Sequence, residues 1–356
     1  MVHVSPALAS LLLAASVVAH PTGNTNREVL RRQAHLDHPN RRSVQECKRD
    51  LVESGWVREQ HMRREARLHE LRVAAGFAKP HEIVRRDTAE VEANYGSGAA
   101  CTLDPEVGEG PYWVSGELIR SDIVTGEKGA ITHVDINVID TSGCRPITDA
   151  YVELWGTNST GVYTGVQAKG NGDGSASAMT TNALRGIQPT DKNGTATFTT
   201  IIPGHYAGRA NHLHTIIHHG ATLLPNNTIA GGTISHAGQF YIEQNFLAEV
   251  EATAPYNTNK QAHTLNVDDV LFPLGHMGGD DPVMKISLIG NTIADGLYAT
   301  IDVGVNPRAV IHPEAVNVWT ADGGKPIPDS PWAGWPDTCK YCNLPMPTPT
   351  PMACPR

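Results

Sequence analysis

The feature that most constrains the fold is a series of short segments in which polar and apolar residues alternate. Residues 133–140 read HVDINVID and residues 151–155 read YVELW. A period of two places the apolar side chains on one face of a β-strand. The same pattern predicts strands at residues 195–202, 212–218, 239–242, 284–289 and 298–303. The chain contains 34 Gly and 24 Pro, and these residues recur between the predicted strands. Many short strands separated by turns favour a mainly β domain with an antiparallel β-sandwich core.

A basic segment with helical spacing of its apolar residues precedes the predicted β domain, which is acidic. Residues 20–90 carry a net charge of +4 and residues 91–356 a net charge of −13. Ser43 and Glu46 have the spacing of a capping box, and a second helix is predicted from about residue 56 to residue 75. Acids are interleaved with the bases, so we expect a solvated arm or a propeptide, with no nucleic-acid or membrane partner.

The chain has the sequence signs of an exported protein. Residues 1–19 read as a signal peptide, because an apolar stretch ends in the small residues Val-Val-Ala. Three N-glycosylation sequons and six cysteines agree with secretion. Six thiols allow about 15 pairings, of which Cys101–Cys144 is the preferred one; a half zinc site at Cys339-x-x-Cys342 is the alternative. The predicted boundaries are 1–19, signal peptide; 20–95, helical segment or propeptide; 96–320, β-sandwich domain; 321–356, irregular Pro/Cys-rich tail.

The most informative segment is residues 203–220, PGHYAGRANHLHTIIHHG. His212 and His214 are two residues apart, so on a strand both imidazoles project from the same face and are placed to bind one transition metal. A His-x-His pair alone also occurs among surface or hydrogen-bonded histidines. Here Tyr206 and Arg209 lie just upstream of the pair, and Tyr163 follows a predicted strand about 40 residues earlier.

Four blocks together resemble the intradiol ring-cleavage dioxygenase family, and most closely its secreted fungal branch. They are CTLDPEVGEGPYW (101–113), LWGTNSTGVYTG (154–165), LRGIQPTDKNG (184–194) and PGHYAGRANHLH (203–214), and the resemblance spans about residues 100–305. Gly156 and Thr157 depart from the family pattern, in which bulkier polar residues are common. These small residues predict a wider pocket, so the resemblance does not specify the substrate.

The resemblance implies a mononuclear non-haem Fe(III) held by Tyr163, Tyr206, His212 and His214. It also implies a catechol-type substrate, O2 as co-substrate, and Arg209 beside the substrate. Gln239, in the sequence GQFY, is the candidate for the family's active-site glutamine. Related enzymes often dimerise through N-terminal helices, so a homodimer through residues 43–76 is expected.

The residue types suit that chemistry. Phenolates are hard anionic donors that match a ferric ion better than softer divalent ions do. Tyr112 either lines the pocket or is a core aromatic.

Two non-catalytic alternatives remain at this point. One is a secreted metal-binding protein that uses His212, His214 and His218 or His219. The other is a carbohydrate-binding sandwich that stacks sugars on Trp332 and Trp335.

Overall fold

The computed structural model describes residues 32, 44–79, 109–168, 170–276 and 280–333. Two helices come first, α1 (Val44–Glu53) and α2 (Trp56–Ala74). Strands dominate the rest: β1 (Val114–Ser115), β2 (Ile131–Asp140), β3 (Arg145–Pro146), β4 (Ala150–Trp155), β5 (Arg185–Pro189), β6 (Thr195–Ile201), β7 (His212–His219), β8 (Thr222–Leu223), β9 (Ile229–Ala230), β10 (Thr233–Tyr241), β11 (Lys285–Leu288), β12 (Leu297–Val305), β13 (Asn317–Thr320) and β14 (Gly323–Pro326). Two further helices, α3 (Gln244–Glu251) and α4 (Phe272–Gly275), lie between β10 and β11. The mainly β prediction is confirmed.

Two sheets form the sandwich. One has the antiparallel order β10-β7-β4-β5, and the other is built around β2, which pairs with β12, β6 and β3. The β2–β12 pairing is parallel, which the expectation of an antiparallel core did not include. The chain reaches β12 only after a long excursion through β10 and α3, and such an excursion lets a strand enter its sheet in either direction.

The core lies between the two sheets. Val134, Ile136 and Val138 alternate along β2 and are fully buried against Leu213 and Ile217 of β7. The side chains of β7 therefore divide by parity. Leu213 and Ile217 fill the core, whereas His212 and His214 point to the outer face of the four-stranded sheet.

The N-terminal helices pack on the sandwich of their own chain. Val44, Cys47 and Leu51 recur at helical spacing on α1 and are buried against Ile139 of β2. On α2, Leu68 and Leu71 pack against Ile289 and Tyr298. Arg64 of α2 forms an ion pair with Asp302 of β12. The apolar faces of both helices thus pack on the sandwich of the same chain. A homodimer through residues 43–76 stays a prediction, and its contacts would have to come from the polar faces of the helices. None of the helices in the described ranges is long and apolar enough to cross a bilayer.

The disulfide prediction was wrong. Cys144 is bonded to Cys47 of α1, with the two Cα atoms 5.1 Å apart. Helix α1 lies over the end of β2, and this packing brings Cys47 to the turn that carries Cys144. The sequence pattern placed Cys144 in the sandwich but gave no sign that α1 covers it. Cys101, Cys339, Cys342 and Cys354 lie outside the described residues, as do the predicted signal peptide and Ser43.

Removal of this bond is expected to destabilise the fold. The bridge closes a loop with a sequence separation of 97 residues, so it restricts the unfolded chain strongly. A Cys47→Ala, Cys144→Ala double variant should lose about 2–4 kcal/mol of unfolding free energy. Denaturant unfolding measures this, and a wild-type sample with its disulfides reduced should shift in the same direction. Equal midpoints for the variant and the oxidised wild type would show that the bridge contributes nothing.

The tail is more regular at its start than predicted. Residues 323–326 form β14, which pairs with β13, and β13 pairs in turn with β1. Trp332 is 2% exposed and packs in the same cluster as Tyr163 and Tyr206. It is therefore not a surface for stacking sugars, and Trp335 lies outside the described residues.

Candidate active site

The site is built on the outer face of the four-stranded sheet, where β7 presents His212 and His214. Trp155 of β4 and Gln239 of β10 are the cross-strand neighbours of His214. The Trp155 indole stacks on the His214 imidazole with ring centroids 4.7 Å apart and an interplanar angle of 4°. This contact fixes the imidazole plane, so the strand pairing itself orients one of the predicted ligands.

Three polar atoms converge at the centre of the site. The Tyr163 hydroxyl lies 3.0 Å from His214 Nε2 and 3.3 Å from His212 Nε2, and the two Nε2 atoms are 3.1 Å apart. Tyr206 is 2% exposed, and its ring lies 5.6 Å from both the Tyr163 and the His212 rings, measured between centroids. The structure thus brings together all four residues that the sequence predicted as ligands.

The tautomer of His212 leaves Nε2 available to bind a metal ion. Its Nδ1 lies 2.6 Å from the carbonyl oxygen of Ala210. A carbonyl only accepts, so Nδ1–H is the donor and Nε2 carries the lone pair. A backbone carbonyl behind a histidine in this way is the usual support of a metal-ligating imidazole.

Burial sets the charge of the tyrosines. Burial, and then the neighbouring Tyr206, raises the pKa of Tyr163 well above its usual range. Burial also raises the pKa of Tyr206, while Arg209 opposes that rise. Both phenols are therefore neutral at physiological pH unless a strong cation ionises them.

The donor set fits a transition-metal ion. Bond lengths of about 2.0–2.1 Å place adjacent ligand atoms about 3 Å apart, which is the spacing of the three central atoms. Two imidazoles and two phenols offer two neutral nitrogens and two ionisable oxygens. Such a set favours a hard, highly charged ion such as Fe(III), because only such an ion repays the deprotonation of buried phenols.

Arg209 lies beside this centre in a fully buried network. Its Nε donates to Asp269 Oδ2 at 2.8 Å, and Nη2 donates to the Tyr241 hydroxyl at 2.8 Å and to the Gln239 amide oxygen. Burial alone lowers the pKa of Arg209, but the Asp269 carboxylate more than reverses this, so the guanidinium stays charged. The structure therefore places Arg209 and Gln239, both singled out from the sequence, in one hydrogen-bond network.

Sequence reasoning missed Asp269 and Tyr241. Asp269 accepts from Arg209 and from three backbone amides, Ala210, Leu271 and Phe272. Asp269 is far from Arg209 in sequence and directly follows a short 3-10 turn without strand or helix periodicity, so no local pattern singled it out. Tyr241 was visible only as the last residue of GQFY.

Tyr112 is a buried aromatic that contacts both predicted tyrosine ligands. Its ring stacks on Tyr163 with centroids 4.7 Å apart and meets the Tyr206 ring edge-on at 6.1 Å. The surroundings of Gly156 and Thr157 do not support the expected widening of the pocket. A Cβ on Gly156 would lie 2.7 Å from the Leu213 side chain of the core, and the Thr157 hydroxyl donates to the Gly204 carbonyl. Both residues therefore contact neighbouring parts of the fold: Gly156 the core, and Thr157 the backbone at Gly204.

The other histidines of β7 are engaged elsewhere. His218 Nε2 lies 2.9 Å from Glu153 Oε2, and His219 Nε2 lies 2.7 Å from the Ser235 hydroxyl. A histidine-only metal site through these residues would leave the convergence of Tyr163 and Tyr206 unexplained.

The chain resembles known dioxygenases. Residues 109–222 match the family model described as Dioxygenase. An intradiol ring-cleavage dioxygenase from Tetranychus urticae is 31% identical, with 60% of this chain and 98% of that chain covered and a TM-score of 0.50. The chain belongs to the intradiol ring-cleavage dioxygenase family. No curated protein sequence matches this dioxygenase.

More distant solved structures share lower similarity with the dioxygenase. Catechol 1,2-dioxygenase from Acinetobacter sp. ADP1 is 18% identical, with 64% of this chain and 72% of that chain covered and a TM-score of 0.39. The dioxygenase domain of a carbohydrate-binding fusion from Streptomyces sp. SirexAA-E is 23% identical, with 56% of this chain and 96% of that chain covered and a TM-score of 0.37. The family assignment rests on the Tetranychus protein.

A buried arginine, Arg185, supports the dioxygenase site from behind. Arg185 Nε donates to the Thr164 carbonyl at 2.9 Å and Nη2 to the Tyr112 carbonyl at 2.8 Å, which joins the loops that carry Tyr112 and Tyr163. Nearby, burial raises the pKa of Glu117 from its usual 4.5 to about 8, although Arg185 opposes the rise.

The stability of the dioxygenase should therefore fall as the pH rises from about 4.5 to about 8. In that range folded Glu117 keeps a proton that the unfolded chain has released, so raising the pH favours unfolding. Glu117→Gln should flatten the decline by up to about 1.4 kcal/mol per pH unit. Denaturant unfolding at several pH values measures the slope, and Glu249→Gln, at an exposed position of α3, is the matched control. An unchanged slope in Glu117→Gln would contradict the prediction.

Proposed function

We propose that this protein is a secreted non-haem iron(III) dioxygenase that cleaves a catechol-type ring between its two hydroxylated carbons. The observation that carries the proposal is the convergence of the Tyr163 hydroxyl and the two histidine Nε2 atoms within 3.3 Å of one another, with Tyr206 beside them. The product is a cis,cis-muconate-type diacid that keeps every ring carbon and gains both atoms of O2.

Tyr163, Tyr206, His212 and His214 would hold the iron. When bound, the ferric ion supplies the Lewis acidity that makes a catecholate reactive toward O2. The chain's own residues orient and protect this chemistry. Trp155 fixes the His214 ring, and Tyr112 covers the Tyr163 ring, so the centre is shielded from water.

Two residues would act on the substrate directly. Once ionised, the Tyr206 phenolate would accept a proton from a catechol hydroxyl, because its ring lies beside His212. Arg209 brings a permanent positive charge, held by Asp269, toward negative charge that develops on the ring during reaction with O2. Such a preorganised charge contributes up to several kcal/mol of transition-state stabilisation. Gln239 fixes the Arg209 guanidinium through its amide oxygen.

The proposal that the protein is exported has support from two features. The Cys47–Cys144 disulfide joins α1 to the sandwich, and such bonds persist in oxidising compartments. The sequon asparagine Asn226 is exposed on the loop between β8 and β9.

Protein secreted by a eukaryotic host should lose mass on deglycosylation, and Asn226→Gln should reduce that loss of mass. A product that is neither glycosylated nor secreted would argue against export.

A test of the metal and of Tyr206 uses colour. Iron(III)–tyrosinate charge transfer should give the purified protein a visible absorption band that shifts when catechol is added. Tyr206→Phe should retain iron on the other three residues, weaken the band and slow substrate binding. The matched control is Tyr151→Phe, which alters a tyrosine of β4 that pairs with His218 and lies outside the cluster of Tyr163 and Tyr206. A colourless wild type that carries no iron after purification, or a Tyr206→Phe protein with the wild-type spectrum, would refute this assignment.

A further inference from the structure

A second cluster of metal-binding side chains lies outside the tyrosine–histidine centre. His205, Glu251 and His263 each bring a ligand atom within 4.8 Å of the other two. They come from three segments: the turn before Tyr206, the last residue of α3, and the loop after it. None of the three belongs to the ligand set proposed for iron.

Hydrogen bonds to neighbouring groups already orient two of these side chains. His205 Nε2 lies 3.1 Å from the carbonyl oxygen of Gln261, so this nitrogen is the donor and Nδ1 faces Glu251 Oε1 at 2.9 Å. Asn211 donates to the same carboxylate oxygen at 2.8 Å. A carbonyl behind the imidazole and an amide behind the carboxylate are the supports that metal ligands generally have.

The third side chain provides access from solvent. His205 is buried, Glu251 is half-buried and His263 is exposed, so the cluster opens at His263. The two imidazole rings meet edge to face with centroids 4.8 Å apart, close to the 4.7 Å between His212 and His214. A tetrahedral ion with bonds of about 2.0–2.1 Å needs its donor atoms closer together than the 4.8 Å within which these three ligand atoms lie. Rotation of the exposed His263 side chain can supply that adjustment.

We propose that His205, Glu251 and His263 form a second metal site, which takes a divalent transition ion of the zinc type. Two imidazoles and one carboxylate are a donor set that zinc uses with water as the fourth ligand. The ion takes the place of the hydrogen shared by His205 Nδ1 and Glu251 Oε1.

Occupancy of this site would stiffen both loops that carry the tyrosines. His205 directly precedes Tyr206 in the chain. Gln261, which contacts His205, also donates to the carbonyls of Thr160 and Gly161, just before Tyr163. The effect of the ion is therefore expected in stability, separate from any iron chemistry.

The test titrates zinc chloride into the iron-loaded protein by calorimetry and measures zinc and iron per chain afterwards. The wild type should bind one zinc per chain, keep its iron and gain thermal stability. His263→Ala removes one ligand and leaves the His205–Glu251 contact intact, so zinc affinity should fall at least about tenfold. His312→Ala, which removes an exposed histidine outside the cluster, should bind zinc like the wild type.

Three results would overturn the second site: no zinc retained beyond the iron, zinc that enters only by displacing iron, or equal zinc affinity in His263→Ala and wild type. Iron content and colour are recorded in the same samples, so a failure here is distinguishable from a failure of the iron proposal.

Discussion

His212→Ala is expected to remove iron and ring-cleavage activity together. The variant deletes one of the two Nε2 atoms that lie 3.1 Å apart, and the remaining donors cannot close the site around an ion. Loss of a direct ligand should exceed the effect of losing a supporting contact, which is about 10–100-fold in metal affinity. We therefore expect a colourless protein with iron below stoichiometry and no detectable oxygen uptake with catechol.

The matched control is His219→Ala on the same strand. His219 contacts Ser235 and lies away from the tyrosines, so its loss costs about 1 kcal/mol of stability at most. That variant should keep its iron, its colour and its turnover. Full turnover by His212→Ala would refute the ligand assignment, whatever the behaviour of His219→Ala.

Asp269→Ala is expected to give a large loss of stability. Arg209 is fully buried, and Asp269 is its carboxylate partner at 2.8 Å. Removing one partner of a buried pair leaves an uncompensated charge and costs about 3–5 kcal/mol. In a domain of this size such a loss lowers the melting temperature by roughly 10 °C. Activity should fall as well, because Arg209 loses the contact that fixes it.

The adjacent residue supplies a control for this prediction. Asp268 is exposed and carries the same charge, so Asp268→Ala changes net charge and composition equally without touching Arg209. Scanning calorimetry should show a large shift for Asp269→Ala and little for Asp268→Ala. Similar melting temperatures for the two variants would show that the buried pair does not stabilise the fold.

Period-two alternation allowed the sequence to predict the strands that fill the core. Strand β2 is the clearest case, because Val134, Ile136 and Val138 all point inward. Strand β5 was missed because its five residues, RGIQP, include a glycine and a proline and show no alternation. The parallel pairing of β12 with β2 was also missed, since alternation fixes which face of a strand is buried but not its direction.

The candidate site was predictable where its residues cluster in the chain. Tyr206, Arg209, His212 and His214 lie within nine residues, and β7 carries both histidines on one face. Asp269 was not predictable, because it reaches Arg209 only through the folded path of the chain across β10 and α3. Cys144 was paired wrongly for the same reason: the packing of α1, not sequence proximity, makes Cys47 its partner.

The most direct test of the central claim is ring cleavage under oxygen-18 gas. The iron-loaded protein is incubated with catechol, and the products are identified by mass. Intradiol cleavage predicts a ring-opened diacid that contains all six ring carbons and both labelled oxygen atoms. A quinone, a product with one labelled oxygen, or an aldehyde acid from cleavage outside the two hydroxylated carbons would contradict the proposed function.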